Sequence, residues 1–355
     1  MKDIRYAIIG TGNIAGSHAQ AVKSTPGSSL VAVCGHHPVN TREFATKWQI
    51  HGYDDIDTMV KEEQVDAVIV ATPHASHTQL SMMALEAGAN VLCEKPLSIT
   101  VEDCSRLIEV SEKNHKALGV MGQRRWFPPA LRMRRAIDDG KIGRPMLGQV
   151  MVLEWRDAQY YASAPWRGKW AQEGGGITVN QASHQLDMLC WFLGPVKEVF
   201  GFYTNINHPY IEVEDSSVGS VKFQSGATAS LMLSNSQNPG LYNTVHIFGD
   251  NGASIGVQTD GGASTSIPNS GDPPFNDLWT IPGEADMLGT WKQEDALFFA
   301  AHPDAAYFLG LQIADFSNAI REGRKPVISG EDGLETIKLI EGIYQSSRTG
   351  KLVTY

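Results

Sequence analysis

The sequence predicts an α/β fold in two parts: a doubly wound parallel sheet, then an α/β part with a mainly antiparallel sheet. Two changes of texture along the chain carry this reading. Up to about Met121 short apolar runs alternate with helical stretches, and after about Gly140 the strand candidates lengthen and alternate polar with apolar residues. Length agrees, since 355 residues are enough for two domains that each bury a core.

In the first part the strand candidates are 4–9, 30–34, 65–71, 90–93 and 117–121. They are short and apolar almost throughout, as parallel strands covered on both faces must be. Helices fall between them, among them 78–87 and 100–114, the latter opened by a Thr100/Asp103 capping pattern. Repeated strand–helix units of this length build a doubly wound sheet.

In the second part the candidates are 148–155, 196–205, 217–223, 227–234 and 244–248, several separated by hairpin punctuation such as Gln224-Ser225-Gly226. A helix over 180–192 interrupts them, and helices over 305–322 and 331–347 close the chain. Residues 260–282, rich in Gly, Ser and Pro, read as a long loop. The division expected is 1–122 and 123–355, with the C-terminal helices free to pack back on the first part.

Composition narrows the partners. With 42% hydrophobic and 19% charged residues the chain is too apolar for disorder. Acidic residues outnumber basic ones, 39 to 29, which argues against nucleic acid or a membrane surface as partner. The groups Arg124-Arg125 and Arg132/Arg134/Arg135 therefore read as a solvated helix face or an intersubunit contact. No apolar run reaches the roughly 18 residues of a membrane span, and no signal-peptide core opens the chain. Cys34, Cys93, Cys104 and Cys190 have neither close pairing nor zinc-type spacing, so no metal is expected and a reducing cytoplasm is the simple reading.

Gly10-Thr11-Gly12-Asn13-Ile14-Ala15 follows the first strand directly and opens a helix. Gly10 allows the tight turn, Gly12 lets the backbone approach a pyrophosphate, and the helix N-terminus supplies free N–H groups and a favourable dipole. Ala15 stands where the fingerprint has its third glycine. In this context the motif marks a Rossmann dinucleotide site. The second strand ends Cys34-Gly35-His36-His37, with no acid for ribose hydroxyls and no neighbouring arginine for a 2′-phosphate. NAD(H) and NADP(H) both stay open, and His36 is either a cofactor contact or a solvated loop residue.

Cys93-Glu94-Lys95-Pro96 places Lys95 at the carboxyl end of a buried strand, where ligands sit in such sheets. Burial and a nearby cationic ring would both lower a lysine pKa there, which suits a proton donor or acceptor. The plainer alternative is a surface lysine in a Pro-terminated turn.

Taken together, Gly10–Ala15, Thr72-Pro73 with His77, Glu94-Lys95-Pro96, Trp166-Arg167, Gly174-Gly175-Gly176 leading to His184, and the ending Asp315-Phe316 … Gly330-Glu331-Asp332-Gly333 resemble the Gfo/Idh/MocA oxidoreductases essentially end to end. The resemblance implies a Rossmann domain followed by an α/β domain whose open-faced, mainly antiparallel sheet commonly serves oligomerisation. It implies NAD(P)-dependent transfer of a hydride to or from a secondary alcohol of a sugar, polyol or glycoside, with a cofactor that some members retain tightly. It also implies a homo-oligomer with a carbohydrate-like small-molecule substrate. Lys95 matches the family lysine beside nicotinamide and substrate. Thr72, Pro73, His77, Glu94, Trp166 and Arg167 match positions that line the cofactor, and Gln123, just past the last strand of the first part, is a further carry-over.

Asn180, His184 and Asp187 are spaced i, i+4, i+7, which puts them on one face of a helix. Read alone, this is equally a buried histidine satisfied by Asp187. The resemblance makes His184 the acid/base that exchanges the substrate hydroxyl proton, and an unperturbed imidazole pKa near about 6.5 suits that work. Many relatives carry Asp where this chain has Asn180, and an amide can hold a hydroxyl or an imidazole but cannot supply a carboxylate. Two neighbouring readings share these residues: a redox glycosidase or sugar transhydrogenase that recycles a retained cofactor, and a ligand sensor without catalysis, against which Lys95 counts.

Overall fold

Strand β1 (Ile4–Ile9) lies at the centre of a parallel sheet because nearly every one of its side chains is buried. The computed structural model describes residues 3–241, 243–259 and 272–355. After β1 come α1 (Asn13–Ser24), β2 (Ser28–Cys34), α2 (Pro38–Trp48), β3 (His51–Tyr53), α3 (Ile56–Glu62), β4 (Ala67–Val70), α4 (His77–Glu86), β5 (Asn90–Cys93), α5 (Val101–Lys113) and β6 (Leu118–Val120). The six strands order β3-β2-β1-β4-β5-β6, all parallel, with the order reversing at β1. β3 was not expected: its three residues are exposed or half-exposed and carry no apolar run.

The next elements are α6 (Pro128–Asp138), β7 (Pro145–Leu153), α7 (Ala158–Ala162), α8 (Trp170–Glu173), α9 (Ser183–Leu193), β8 (Val196–Thr204), β9 (Ser216–Phe223), β10 (Thr228–Ser234), β11 (Thr244–Gly249), β12 (Ser254–Gln258), β13 (Phe275–Trp279) and α10 (Leu288–Ala301). The chain ends with α11 (Ala305–Glu322), α12 (Gly330–Thr349) and β14 (Val353–Thr354). The second sheet orders β13-β12-β11-β7-β10-β9-β8-β14 and is antiparallel except for the β7–β10 pair. Helix α9 covers one face of it so closely that a Cβ on Gly148 of β7 would meet Leu193 and Leu189 at 2.8 and 2.9 Å. The opposite face carries a cross-strand row in direct register, Met232–Val218–Phe202, each about half exposed.

Three expectations are corrected here. The loop read over 260–282 contains β13, whose Phe275 and Trp279 are buried; residues 260–271 lie outside the described residues. The helix expected from residue 180 begins at Ser183, so Asn180 sits in the turn ahead of it. The arginines are only partly a solvated face: Arg135 is exposed, but Arg125 is buried against Asp187, Arg132 pairs with Asp295, and Arg134 pairs with Asp138.

The chain divides into two units, Met1–Gln123 with Asp304–Leu334, and Arg124–Pro303 with Glu335–Tyr355. Helix α11 thus belongs to the first unit. Its Leu309, Ile313 and Phe316 are buried with Ala19 and Val22 of α1 and Tyr6 of β1 in one core cluster, and Gln312 takes the Gly122 N–H and donates to the Val120 carbonyl.

Candidate active site

In the first unit the chain leaves β1 at Gly10, whose φ of +111° only glycine adopts readily; a Cβ there would stand 2.4 Å from the Ala71 carbonyl oxygen. Gly12 then caps α1 with no side chain accepting from the first turn, and open space lies where its Cβ would be. The N–H groups of Asn13 and Ile14 therefore face outward at the positive end of a 12-residue helix, and both side chains are exposed. This cradle fits the pyrophosphate of a dinucleotide. Ala15 is fully buried, so it serves close helix–strand packing and not direct contact. His36 is exposed just past β2, its ring 3.8 Å from that of His37 and tilted by 43°.

The turn after β4 brings Thr72 beside Gly10, and Ser76 Oγ donates to Thr72 Oγ1 at 2.7 Å. Two of the residues that the resemblance places at the cofactor are buried and hydrogen-bonded within the first unit. His77 is fully buried, its Nδ1 2.7 Å from the Pro96 carbonyl and its Nε2 2.8 Å from the Thr72 carbonyl, so it ties two site loops together. Burial holds its pKa below the usual histidine range. Glu94 is also buried: Oε1 meets His18 Nε2 of α1 at 2.7 Å and Oε2 accepts the Lys95 N–H at 3.0 Å. Burial alone would raise the Glu94 pKa, but hydrogen bonding to His18 and the charges of His18 and Lys95 carry it below the ordinary value. Lys95 itself is half-buried on a backbone thereby anchored to the phosphate helix. His18 was not foreseen, since a lone histidine within a helix gives no sign of its partner. Gln123 keeps a buried Oε1 with no hydrogen-bond partner.

In the second unit, Asn180, His184 and Asp187 are all nearly buried. Asp187 is held by Arg125, whose Nε and a terminal nitrogen donate to its two oxygens at 2.9 and 2.6 Å. Asn180 donates to Glu173 Oε1 at 2.5 Å and to the Tyr160 hydroxyl at 3.3 Å. That hydroxyl also accepts from Gln181 at 2.9 Å and from Arg167, whose guanidinium lies 4.3 Å from the Tyr160 ring and 4.6 Å from Trp166. Arg167 and Trp166 thus belong to the wall around Asn180.

The turn before Asn180 needs its glycines. A Cβ on Gly176 would stand 1.9 Å from the Glu214 carbonyl oxygen, and one on Gly175 would stand 2.0 Å from the Tyr344 hydroxyl. Glu214 is buried and accepts from the Gly176 and Thr178 N–H groups and from Tyr344, at 2.8, 3.0 and 2.8 Å. Burial raises its pKa. Glu173 was missed from sequence; its only signal is a carboxylate immediately ahead of Gly174-Gly175-Gly176.

A reversed-order parallel sheet with a glycine cradle at the switch point, and a lysine at a neighbouring strand end, define a dinucleotide-binding oxidoreductase. Comparison with known proteins agrees. The family model described as "Oxidoreductase family, NAD-binding Rossmann fold" matches residues 4–121, and the "GFO/IDH/MocA C-terminal domain" model matches residues 130–255. The chain belongs to the Gfo/Idh/MocA oxidoreductase family. It is 28% identical to oxidoreductase P35 of Formosa agariphila, over 55% of this chain and 62% of that protein. It is 26% identical to the D-apiose dehydrogenase of Paraburkholderia graminis, over 99% of this chain and 90% of that enzyme. A crystal structure of the WlbA dehydrogenase from Bordetella pertussis, in complex with NADH and UDP-GlcNAcA, superposes with a TM-score of 0.86 at 25% identity, covering 100% of this chain and 98% of that one.

Among the described residues, no helix is long and apolar enough to cross a membrane, and no group of three His, Cys, Asp or Glu side chains could hold a metal ion.

Proposed function

We propose that the chain oxidises or reduces a secondary alcohol of a sugar, polyol or glycoside. The observation that carries this is Lys95: a half-buried ammonium at the carboxyl end of β5, on a backbone fixed by Glu94 and His18. The carbohydrate class is supported by the relatives, one named for D-apiose and one bound to UDP-GlcNAcA. Bound nicotinamide dinucleotide supplies the hydride acceptor or donor. Gly10, Gly12, Asn13 and Ile14 would hold its pyrophosphate, with Thr72, His36 and Gln123 as further contacts; the resemblance adds Trp166 and Arg167. The family resemblance assigns Lys95 and Asn180 to the reacting hydroxyl and His184 to its proton.

A panel of polyols, aldoses and nucleotide sugars, each assayed with NAD⁺ and NADP⁺, tests this. Turnover is expected with at least one member. Because the end of β2 offers neither acid nor arginine, the two coenzymes are expected to differ by less than about a hundredfold, or about 3 kcal/mol. No turnover with any member and either coenzyme would defeat the reading.

The outward row Met232–Val218–Phe202 is where a second copy of the chain is proposed to dock, since apolar side chains aligned across three strands gain by leaving water. Sedimentation of the purified chain should give an oligomer, and Val218→Lys should shift it toward monomer. A monomer in the parent chain would contradict this.

A further inference from the structure

Asn180 is an amide in the turn ahead of α9, and the fold brings a carboxylate to it. Glu173 ends α8, is 1% exposed, and has both oxygens engaged: Oε1 by the Asn180 amide and Oε2 by the Gly168 N–H. We propose that Glu173 is a positioning residue for Asn180, its ionisation deciding which end of the Asn180 amide faces away from it.

An ionised carboxylate only accepts, so it binds the Nδ2 end of the amide and leaves Oδ1 directed elsewhere. A protonated Glu173 has one O–H to donate, and an amide turned about its terminal bond meets it with Oδ1, leaving Nδ2 directed elsewhere. The opposite end of Asn180 thus changes from acceptor to donor as Glu173 gains a proton. The charged and titratable groups around Glu173 include Arg167, Tyr160, Tyr161, Glu214 and Tyr344. Burial is the largest influence and the buried Glu214 adds to it, against the Gly168 and Asn180 hydrogen bonds and Arg167; the balance pushes Glu173 up to about 7. Both forms are therefore populated near neutral pH. Tyr160, raised by its own burial, stays neutral there.

The consequence for substrate rests on the proposed function, in which Asn180 holds the reacting hydroxyl. Above the Glu173 midpoint such a hydroxyl meets an acceptor at Asn180, and below it a donor. Substrate affinity should change across that midpoint.

The test needs neither coenzyme nor substrate. In ¹⁵N-labelled protein the Asn180 side-chain amide pair is assigned by its loss in Asn180→Asp, and followed from about pH 5.5 to about 8.5. It should move with a midpoint near 7 in the parent chain, stay fixed in Glu173→Gln, and move again with a displaced midpoint in Glu173→Asp. An invariant Asn180 signal in the parent chain, or a titration that persists in Glu173→Gln, would overturn the proposal. The parent titration stands even if a variant folds poorly. With a substrate from the panel, KM should follow the same midpoint in the parent chain and flatten in Glu173→Gln. A flat KM beside a titrating amide keeps the coupling and removes Asn180 from the substrate hydroxyl, so the two readings fail separately.

Discussion

Lys95→Ala should lower turnover by at least about a hundredfold, the scale of one acid–base or orienting group, while coenzyme still binds. The separation is expected because the pyrophosphate cradle at Gly10 and Gly12 is built from backbone and owes nothing to the Lys95 side chain. Lys95→Arg should not restore the rate, since a planar guanidinium is larger than an ammonium and cannot give up its proton. His184→Ala should also depress the maximal rate, because it removes a group whose bond to the reacting proton strengthens in the transition state. Coenzyme affinity, read by fluorescence titration, and kcat are the two measurements. Near-normal turnover in Lys95→Ala would remove the lysine from the chemistry.

Arg125→Met should cost about 3–5 kcal/mol of folding stability, the usual result of stranding one member of a buried ion pair. Arg125 is 3% exposed and grips Asp187 with two hydrogen bonds. Asp187 stands on α9, one turn beyond His184, so the pair also fixes that helix. Without the guanidinium a nearly buried carboxylate must be desolvated unpaired or take up a proton. Replacing both residues, as in Arg125→Met with Asp187→Leu, should recover a large part of the loss, since the stranded charge is gone. Urea unfolding of the three chains reads this. A loss below about 1 kcal/mol in Arg125→Met would show that the pair is solvated or that Asp187 finds another donor.

How far the sequence could be read depended on whether a signal was local. β1, β2, β4, β5 and β6 announced themselves because strands covered on both faces must be apolar throughout. β3 is short and exposed, and β13 adjoins a stretch rich in glycine and serine, so neither had a pattern to find. α10 passed unnoticed because Asp295 is its one fully buried residue and no apolar stripe marks it.

The site follows the same rule. The places of Gly10–Ala15 and Lys95 just past β1 and β5 were legible because a strand end dictates where they stand. Spacing says nothing of which way a side chain turns, and so the ties of His77 to Pro96 and of Glu94 to His18 inside the first unit could not be read from it. The Asn180–Glu173 contact was beyond reach for a related reason. It depends on a left-handed turn at Gly174 folding the chain back from α8, and on Gly176 allowing Glu214 to clamp that turn. No periodicity encodes it.

The central claim is direct transfer of hydrogen between a carbohydrate carbon and the nicotinamide. The measurement that meets it most directly uses the alcohol found active in the panel, deuterated at its reacting C–H, with oxidised coenzyme and purified protein. Mass and NMR analysis of the coenzyme should show deuterium at the nicotinamide ring, on one face only, with none lost to water. Reduced coenzyme that carries no deuterium, or product formed with no label transferred, would contradict it.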